Sequence, residues 1–281
     1  MAVPGGGVRL AATRWPGAGT PVVLLHGLAS QRRFWNPVAR RLAGSSPLLA
    51  LDQRGHGDSD RPADGPYDLQ SVAADVTVAM DAVALSRAVV VGHSWGAAVA
   101  ATFAAEHPQR CLSLVMIDGG FSTPPAGFDR AVARKRLEPP RFAMPPEELV
   151  AMLRSRSPGA WDDELASAVL PIFEVGDDGL ARARLPFDIH MQVLDGLLDF
   201  DATATLSRVQ CPTWAVSCDS LDADDDWTAH KRESLERITP TLARPRVLRW
   251  GGAVHDVPLQ WPDLVAGLIR TAITDAQTEL A

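Results

Sequence analysis

The stretch from Val89 to Ala98 constrains the fold more than any other part of the chain. A β-branched apolar run ends at Gly92, and a run of small residues suited to a helix begins after Ser94. In a Gly92-x-Ser94-x-Gly96 pattern, the glycines let the helix pack closely against the strand across a sharp turn, which exposes the serine hydroxyl. Because a strand precedes the pattern and an alanine-rich helix follows it, we interpret Ser94 as an activated nucleophile.

Apolar runs alternate with helical patterns through most of the chain. Continuous apolar runs bounded by turn residues are typical of parallel strands covered on both faces. Such runs occur at 21–25, 48–51 and 89–91, and further strands are predicted at 112–117, 213–217 and 246–250. Apolar spacing and capping residues predict helices at 36–44, 68–83, 95–106 and 262–274. This order indicates an α/β fold, built on a mostly parallel sheet with helices on both faces.

The segment from 122 to 205 differs from the rest of the chain. Proline pairs separate short helical stretches, and no convincing strand is predicted between residue 121 and Thr213. We therefore predict a core domain formed by residues 1–121 and 206–281, with a helical lid inserted at 122–205. The lid is expected to supply the substrate pocket.

Composition argues against several kinds of partner. A net charge of −7 over 281 residues disfavours nucleic acid, because phosphate binding requires a basic face. Neither a signal peptide nor an apolar stretch of the roughly 20 residues that span a bilayer is visible, so we expect a cytoplasmic protein without a membrane partner. The three cysteines form no C-x-x-C pair, which favours reduced thiols. Whether the chain forms a homodimer stays open.

A serine nucleophile needs a base to take its proton and an acid to orient that base. His255 is the best candidate for the base, because it lies in a glycine-softened loop after the last predicted strand. Ligand chemistry on open parallel sheets collects at the carboxyl ends of the strands, where His26, Ser94, Asp118 and His255 all lie. His93, inside the elbow, is expected to point away from the serine and to be structural.

Four motifs together resemble the α/β-hydrolase fold superfamily. They are His26-Gly27, Asp52-x-Arg54-Gly55-x-Gly57-x-Ser59, Gly92-His93-Ser94-Trp95-Gly96 and Gly251-x-x-x-His255. The resemblance covers nearly the whole chain and implies an eight-stranded core with a helical cap. Epoxide hydrolases and haloalkane dehalogenases of this superfamily carry an aspartate nucleophile, so a serine at this position implies acyl transfer instead.

The resemblance also implies an oxyanion hole made of two backbone N–H groups. Trp95, directly after the nucleophile, supplies one, and Leu28, in the loop after the His-Gly pair, supplies the other. The Trp95 side chain is expected to form an apolar wall, to pack the start of the helix, or both. Asp52 and Arg54 are expected to form a structural pair that fixes their loop.

Two positions compete for the role of the acid. Members of the superfamily often carry it after the strand that follows the lid, but the usual Gly-x-x-Asp turn is absent there and Asp222 or Asp219 must serve. Others carry it at the end of the strand before the lid. Asp118 lies there, 24 residues after Ser94, in a tight Asp-Gly-Gly turn. We favour Asp118 and keep Asp222 as the alternative.

The predicted function is hydrolysis of a small apolar carboxylic ester or lactone, without a cofactor or a metal. Trp95, Phe121, Trp161 and Met191 are the predicted substrate-binding residues. Two alternatives stay open. The same fold could cleave a carbon–carbon bond or act as a cofactor-free lyase, or it could bind a ligand without catalysis, as receptor-like members of the superfamily do.

Overall fold

The computed structural model describes residues 1–122, 128–157, 159–222 and 225–278. The described residues form ten strands and eleven α-helices. The strands are β1 (Ala2–Pro4), β2 (Arg9–Trp15), β3 (Val22–Leu25), β4 (Leu48–Leu51), β5 (Ala88–His93), β6 (Cys111–Ile117), β7 (Phe173–Val175), β8 (Ala181–Ala183), β9 (Thr213–Asp219) and β10 (Pro245–Gly251). The helices are α1 (Asn36–Leu42), α2 (Leu69–Ala82), α3 (Trp95–Glu106), α4 (Arg130–Arg136), α5 (Pro146–Ser155), α6 (Asp163–Val169), α7 (Phe187–Leu198), α8 (Ala202–Leu206), α9 (Asp226–Ile238), α10 (Val257–Gln260) and α11 (Pro262–Thr278).

Eight strands form one sheet, in the order β1-β2-β4-β3-β5-β6-β9-β10. The six strands from β4 to β10 in this order pair in parallel, whereas β1 and β2 pair antiparallel at one side. The predicted α/β-hydrolase architecture, with eight mostly parallel strands, is therefore confirmed. The parallel arrangement gathers the carboxyl ends of β3, β5, β6, β9 and β10 at one edge of the sheet.

Helices cover both faces of the sheet, which is why its central strands are apolar without interruption. Successive side chains point to opposite faces of a strand. Val23 and Leu25 of β3 accordingly pack in the cluster that contains α2 and α3, whereas Val22 and Leu24 pack in the cluster that contains α1 and α11. All four of these side chains are fully buried. This packing makes a rigid platform under the edge where the site residues lie.

The segment between β6 and β9 carries α4 to α8 and an antiparallel pair, β7–β8. The prediction of no strand before Thr213 is therefore wrong. Each of these two strands has only three residues, which is too short for alternation to be read, and a turn with Gly179 at φ +76° joins them. Several contacts hold this segment to the rest of the chain. Among them, Arg184 pairs with Asp58 at 2.5 Å, Gln31 donates to a carbonyl oxygen in α6, and Gln192 donates to the carbonyl oxygen of Ala63. The division into core and lid stays a prediction.

Cys111, Cys211 and Cys218 are free and buried, as the sequence predicts. Among the described residues, none of the helices has the length and apolarity needed to cross a bilayer.

Candidate active site

Ser94 occupies the sharp turn between β5 and α3. Its backbone has φ +54° and ψ −121°, a conformation that costs an L-residue free energy and persists only where the surroundings impose it. Every residue from Ala88 to Ala105 is buried except Ser94, which is partly exposed. A Cβ on Gly92 would lie 2.1 Å from the carbonyl oxygen of Gly96, so the tight approach of strand and helix requires glycine. The fold thus presents one hydroxyl from an otherwise buried element.

The end of β6 packs directly against this turn. The N–H of Ser94 donates to the carbonyl oxygen of Ile117 at 2.9 Å. A Cβ on Gly119 would lie 2.3 Å from the carbonyl oxygen of Ser94, so only glycine fits beside the elbow. Asp118 lies between Ile117 and Gly119, and its backbone has φ +48°. The turn at the end of β6 therefore brings a carboxylate next to the serine turn.

Asp118 is the carboxylate that the structure brings to the ring of His255. Its Oδ2 lies 2.7 Å from Nδ1 of His255. Its Oδ1 accepts the N–H of Cys218 at 2.9 Å and the ammonium of Lys231 at 3.0 Å. The Asp118 side chain is only 2% exposed. A buried carboxylate with three donors is fixed in orientation and holds a neutral imidazole with its proton on Nδ1.

His255 lies in the loop between β10 and α10, with 54% of its side chain exposed. Its backbone carbonyl accepts a hydrogen bond from Nε2 of His93 at 2.8 Å, and the two rings lie 4.8 Å apart. His93 is buried and stacks against Phe34 on its other side, at 4.9 Å. The residue before Ser94 thus anchors the loop that carries His255, so His93 has a more specific part in the site than the sequence suggested.

Opposing effects set the protonation of the Asp118–His255 pair. Burial alone would lower the pKa of His255, but the hydrogen bond and the charge of Asp118 outweigh burial and raise that pKa above its ordinary value. Burial alone would raise the pKa of Asp118, but the hydrogen bond to His255, the charge of His255 and the Cys218 N–H outweigh it and lower that pKa. Asp118 is therefore an anion at neutral pH, suited to stabilise an imidazolium.

The loop after His26-Gly27 forms a tight turn beside the serine. The N–H of Ser30 donates to the carbonyl oxygen of Gly27 at 3.1 Å, and Ala29 has φ +60°. A Cβ on Gly27 would lie 3.1 Å from Cβ of Ser94, so this loop and the elbow are neighbours. Within the described ranges, neither the N–H of Leu28 nor that of Trp95 donates to a protein acceptor. Both donors are therefore available to a ligand.

Two further histidines lie under this turn. Nε2 of His26 accepts the N–H of Gln53 at 3.1 Å, and Nε2 of His56 accepts the N–H of Ala29 at 3.3 Å. Burial lowers the pKa of His26 to about 4 and that of His56 to about 3, so both rings are neutral acceptors at physiological pH. The His56 ring also stacks on the indole of Trp95, with centroids 5.1 Å apart. Both residues brace backbone that leads to the serine.

The other candidate acids lie elsewhere. Asp219 ends β9, where it accepts hydrogen bonds from Ser217 at 2.5 Å and from Arg249 at 2.7 Å. Asp222 is exposed in the loop that follows. Asp219 or Asp222 could serve as the acid only if the ring of His255 moved away from Asp118.

The expected pair of Asp52 and Arg54 does not form. Asp52 instead receives the guanidinium of Arg32 and the N–H of Arg32 at 2.6 Å. Arg54 pairs with Asp75 of α2 at 2.6 and 2.7 Å. The predicted structural contacts around this loop are confirmed for both residues, but their pairing with each other is wrong, because each side chain finds an opposite charge from a different element. Both pairs are structural, and both fix the loop beneath the site.

The predicted substrate-binding residues occupy different environments. Trp95 and Phe121 are fully buried in the same apolar cluster, so the Trp95 side chain packs the start of α3. Trp161 is partly exposed just before α6. Met191 lies on α7 and lines a surface groove with Phe187. Their contact with a substrate stays a prediction.

The sequence analysis missed Lys231. It lies on the buried face of α9, together with Thr228, Leu235 and Ile238. Its ammonium donates to Oδ1 of Asp118 and to the carbonyl oxygen of Cys218. A lysine at a core position of an amphipathic helix is unusual, because lysine is almost never fully buried unless it is paired. That misfit in the helical pattern was the available signal.

One group of side chains in the described part of the chain has the spacing of a metal site, namely His93, His255 and Asp256, with ligand atoms within 4.8 Å of one another. Nε2 of His93 is already bonded to the His255 carbonyl, and Nδ1 of His255 is bonded to Asp118. This group overlaps the histidine–aspartate pair, and we describe it as part of that pair.

Comparisons with known proteins agree with this architecture. A family model described as the alpha/beta hydrolase fold matches residues 20–143. "Putative carbamate hydrolase RutD" of Variovorax paradoxus (strain S110) is 31% identical over 250 residues, which are 86% of this chain and 88% of that protein. The 2-(acetamidomethylene)succinate hydrolase of Mesorhizobium japonicum is 37% identical over 105 residues, 37% of each chain.

A crystal structure of E-2-(acetamidomethylene)succinate hydrolase superposes with a TM-score of 0.78 at 26% identity, over 98% of both chains. The sequence match to a hydrolase runs over most of both proteins, and the structural match runs over nearly the whole fold. Together with the sheet order and the serine turn, these similarities show that the chain belongs to the α/β-hydrolase family.

Proposed function

We propose that this protein is a serine hydrolase that cleaves a carboxylic ester or lactone through an acyl-enzyme on Ser94. The observation that carries the proposal is the 2.7 Å contact between Nδ1 of His255 and Oδ2 of the buried Asp118, on a loop that His93 joins to the serine turn. A serine with an adjacent base, and a base oriented by a carboxylate, is the arrangement that acyl transfer requires.

The proposed reaction has two halves. Nε2 of His255 takes the proton of the Ser94 hydroxyl while Oγ forms a bond to the substrate carbonyl carbon. The tetrahedral intermediate collapses as the bond to the leaving oxygen breaks, and His255 returns its proton to that oxygen. Water then attacks the acyl-enzyme by the same route and releases the acid. Asp118 keeps its negative charge throughout and stabilises the imidazolium in each half.

The N–H groups of Leu28 and Trp95 are the proposed donors to the oxyanion. Trp95 opens α3, where the first N–H groups have no intrahelical acceptor and the helix dipole favours negative charge. Leu28 is the second residue of the tight turn that abuts Ser94. Donors fixed in this way need no reorganisation when charge develops, which is what makes such groups effective.

A second candidate is hydrolysis of a carbamate. It is favoured by the similarity to a protein named as a carbamate hydrolase, which extends over 88% of that protein. The same serine attack would serve, with His255 protonating the leaving nitrogen in place of an oxygen. Esters and lactones lose an oxygen leaving group, whereas loss of nitrogen from a carbamate leaves a carbonate ester on Ser94, which water then hydrolyses. All three reactions begin with attack of Ser94 on a carbonyl carbon, so they share every residue proposed above.

The test is the intact mass of the full chain after exposure to a fluorophosphonate. An activated serine displaces fluoride and gains one phosphonyl group. We expect a single adduct on the wild type and on Ser167→Ala, which removes an exposed lid hydroxyl, and none on Ser94→Ala. An adduct that survives in Ser94→Ala would overturn the proposal by placing the reactive group on another residue. No adduct on the wild type would overturn it and favour the non-catalytic alternative.

The leaving group is identified by a panel of p-nitrophenyl esters, lactones, carbamates and diketones with product analysis. An alcohol or hydroxy acid product supports the ester or lactone, an amine supports the carbamate, and two carbon fragments without either would indicate carbon–carbon cleavage. An activity supports the proposed function only if it disappears in Ser94→Ala.

A further inference from the structure

The described residues bring one buried cation to the Asp118–His255 pair. Lys231 is 5% exposed, and its Nζ lies 3.0 Å from Oδ1 of Asp118. The same ammonium also donates to the backbone carbonyl of Cys218, whose N–H donates to the same Oδ1. Lysine, carboxylate and imidazole therefore form one continuous chain of hydrogen bonds, from α9 through the end of β6 to the loop after β10.

A stability role alone explains this lysine poorly. Burying a lysine and an aspartate removes both charges from water, and replacing such a pair by apolar side chains is often neutral or stabilising. The neighbours of Lys231 on the buried face of α9 include Leu235 and Ile238, so an apolar residue would suit that face. The lysine instead engages the one oxygen of Asp118 that His255 does not use.

We propose that Lys231 is a positioning residue of the hydrolytic site, which fixes the Asp118 carboxylate with Oδ2 toward His255 and opposes protonation of the resting imidazole. The inference rests on the proposed function of Ser94 and His255. With Oδ1 held by Lys231 and the Cys218 N–H, only Oδ2 is free to accept from Nδ1. Rotation of the carboxylate would break two hydrogen bonds at once.

The charges that face His255 decide whether loss of Lys231 raises or lowers the pKa of the His255 ring. Asp118 at the end of β6 and Asp256 on the ring's own loop both raise the pKa of His255, whereas Lys231 from α9 lowers it. His93 from β5 is neutral, since burial lowers its pKa to about 4. On β9 and β10, Asp219 and Arg249 neutralise one another. Without Lys231, burial would be left to oppose the two carboxylates, and the base would be protonated at higher pH.

The experiment follows the rate of Ser94 phosphonylation by a fluorophosphonate against pH, with the full chain. We compare Lys231→Met, which removes donor and charge, Lys231→Gln, which removes only the charge, and Lys231→Arg, which keeps both. Thr228→Val is the matched control, because Thr228 shares the buried face of α9 and holds Ser220 but does not contact Asp118.

At an effective dielectric constant of about 20, a unit charge shifts the pKa of a neighbouring titratable group by roughly one pH unit after solvent screening. We therefore expect the acidic limb of the rate profile to move up by about one pH unit in Lys231→Met and Lys231→Gln, so that the rate below the limb falls about tenfold. Lys231→Arg and Thr228→Val should keep the wild-type limb, even where the plateau rate falls.

A Gln variant that labels at Ser94 with an unshifted limb would overturn the inference, and so would a Thr228→Val variant with the same shift. An NMR titration of the His255 ring, assigned with His255→Gln, tests the same shift without any chemistry at Ser94. Absence of labelling in the wild type would overturn the proposed function alone, because the ring titration would still support or refute the effect of Lys231.

Discussion

His56 accepts the backbone N–H of Ala29 through Nε2, at 3.3 Å. The same ring stacks on Trp95, at an interplanar angle of 23°. One buried side chain thus contacts both segments that carry the proposed oxyanion donors. β3, which leads into the turn at Leu28, pairs in parallel with β5, which leads into α3, up to Leu25 and Gly92. Beyond the ends of these strands, the His56 contact helps to hold the two segments together.

We predict that His56→Phe lowers kcat by about ten- to a hundredfold with little change in KM, because displacing one oxyanion donor acts on the transition state. Phenylalanine keeps the aromatic ring for stacking but removes the Nε2 acceptor for Ala29 and the Nδ1 donor to the carbonyl oxygen of Arg54, at 3.0 Å. His107→Phe, which alters a ring at the end of α3 that packs on Phe103, serves as the control. Steady-state kinetics on a p-nitrophenyl ester make the measurement. A rise in KM with unchanged kcat would contradict the prediction.

Among the described residues, four buried histidines with a lowered pKa make stability depend on pH: His26, His56, His93 and His190, whose pKa burial also lowers. Burial lowers the pKa values of His26 and His93 to about 4 and that of His56 to about 3. The unfolded chain binds protons at these rings near pH 6.5 and the folded chain does not, so stability falls as pH falls from 6.5 toward 4. Each ring adds a slope of up to about 1.4 kcal/mol per pH unit.

Urea unfolding at pH 7, 6 and 5 measures this slope. Carboxylates with lowered pKa values, such as Asp118, titrate below this range, and the raised pKa of His255 acts in the opposite direction. Removing one ring, in His56→Phe, should flatten the fall in the free energy of unfolding. Parallel curves for the wild type and the variant would show that the ring titrates alike in both states.

Asp118→Asn should lower kcat by about 10³- to 10⁴-fold, because an amide in this place favours the wrong tautomer of the histidine. Asp222→Asn should change the rate by less than about threefold, since that residue is exposed and Asp118 already holds His255. Single-turnover acylation by an activated ester, compared between the two variants, makes the assignment. Equal losses, or a larger loss in Asp222→Asn, would transfer the role of the acid.

Replacing either of two glycines by alanine should change the free energy of unfolding, in opposite directions. Gly119→Ala would drive a Cβ to within 2.3 Å of the Ser94 carbonyl oxygen, so we expect a loss of at least about 2 kcal/mol and of labelling at Ser94. Gly267→Ala, in the middle of α11 with nothing within 4 Å of the new Cβ, should gain about 0.5–1 kcal/mol. Denaturant midpoints of the two variants give the sign directly.

The fold and the three proposed catalytic residues, Ser94, Asp118 and His255, could be predicted from local sequence patterns. Strand runs, the Gly92-x-Ser94-x-Gly96 turn and the position of His255 after the last strand are each contained in a few consecutive residues. Partners supplied by distant elements were harder to foresee. Arg54 pairs with Asp75 and Asp52 with Arg32, because three-dimensional proximity, and not separation along the chain, determines which charges meet.

The contact of Lys231 with Asp118 is a stronger example of a pairing that local sequence patterns do not predict. Nothing within its own segment indicates that residue 231 meets Asp118, which lies 113 positions earlier. The contact exists because β6 and β9 are neighbours in the sheet, and α9 follows β9 directly. Only the pairing of strands, which no local pattern contains, determines that encounter.

The wide separation of His255 from its partners has a consequence for protein synthesis. Ser94 and Asp118 directly follow two adjacent parallel strands, β5 and β6, whereas His255 follows Asp118 by 137 residues and comes after the last strand. A growing polypeptide on the ribosome therefore carries its proposed nucleophile for most of translation without the group that activates it. Cellular esters and thioesters would find no reactive serine on such nascent chains, and premature termination before the final loop would yield an inert product.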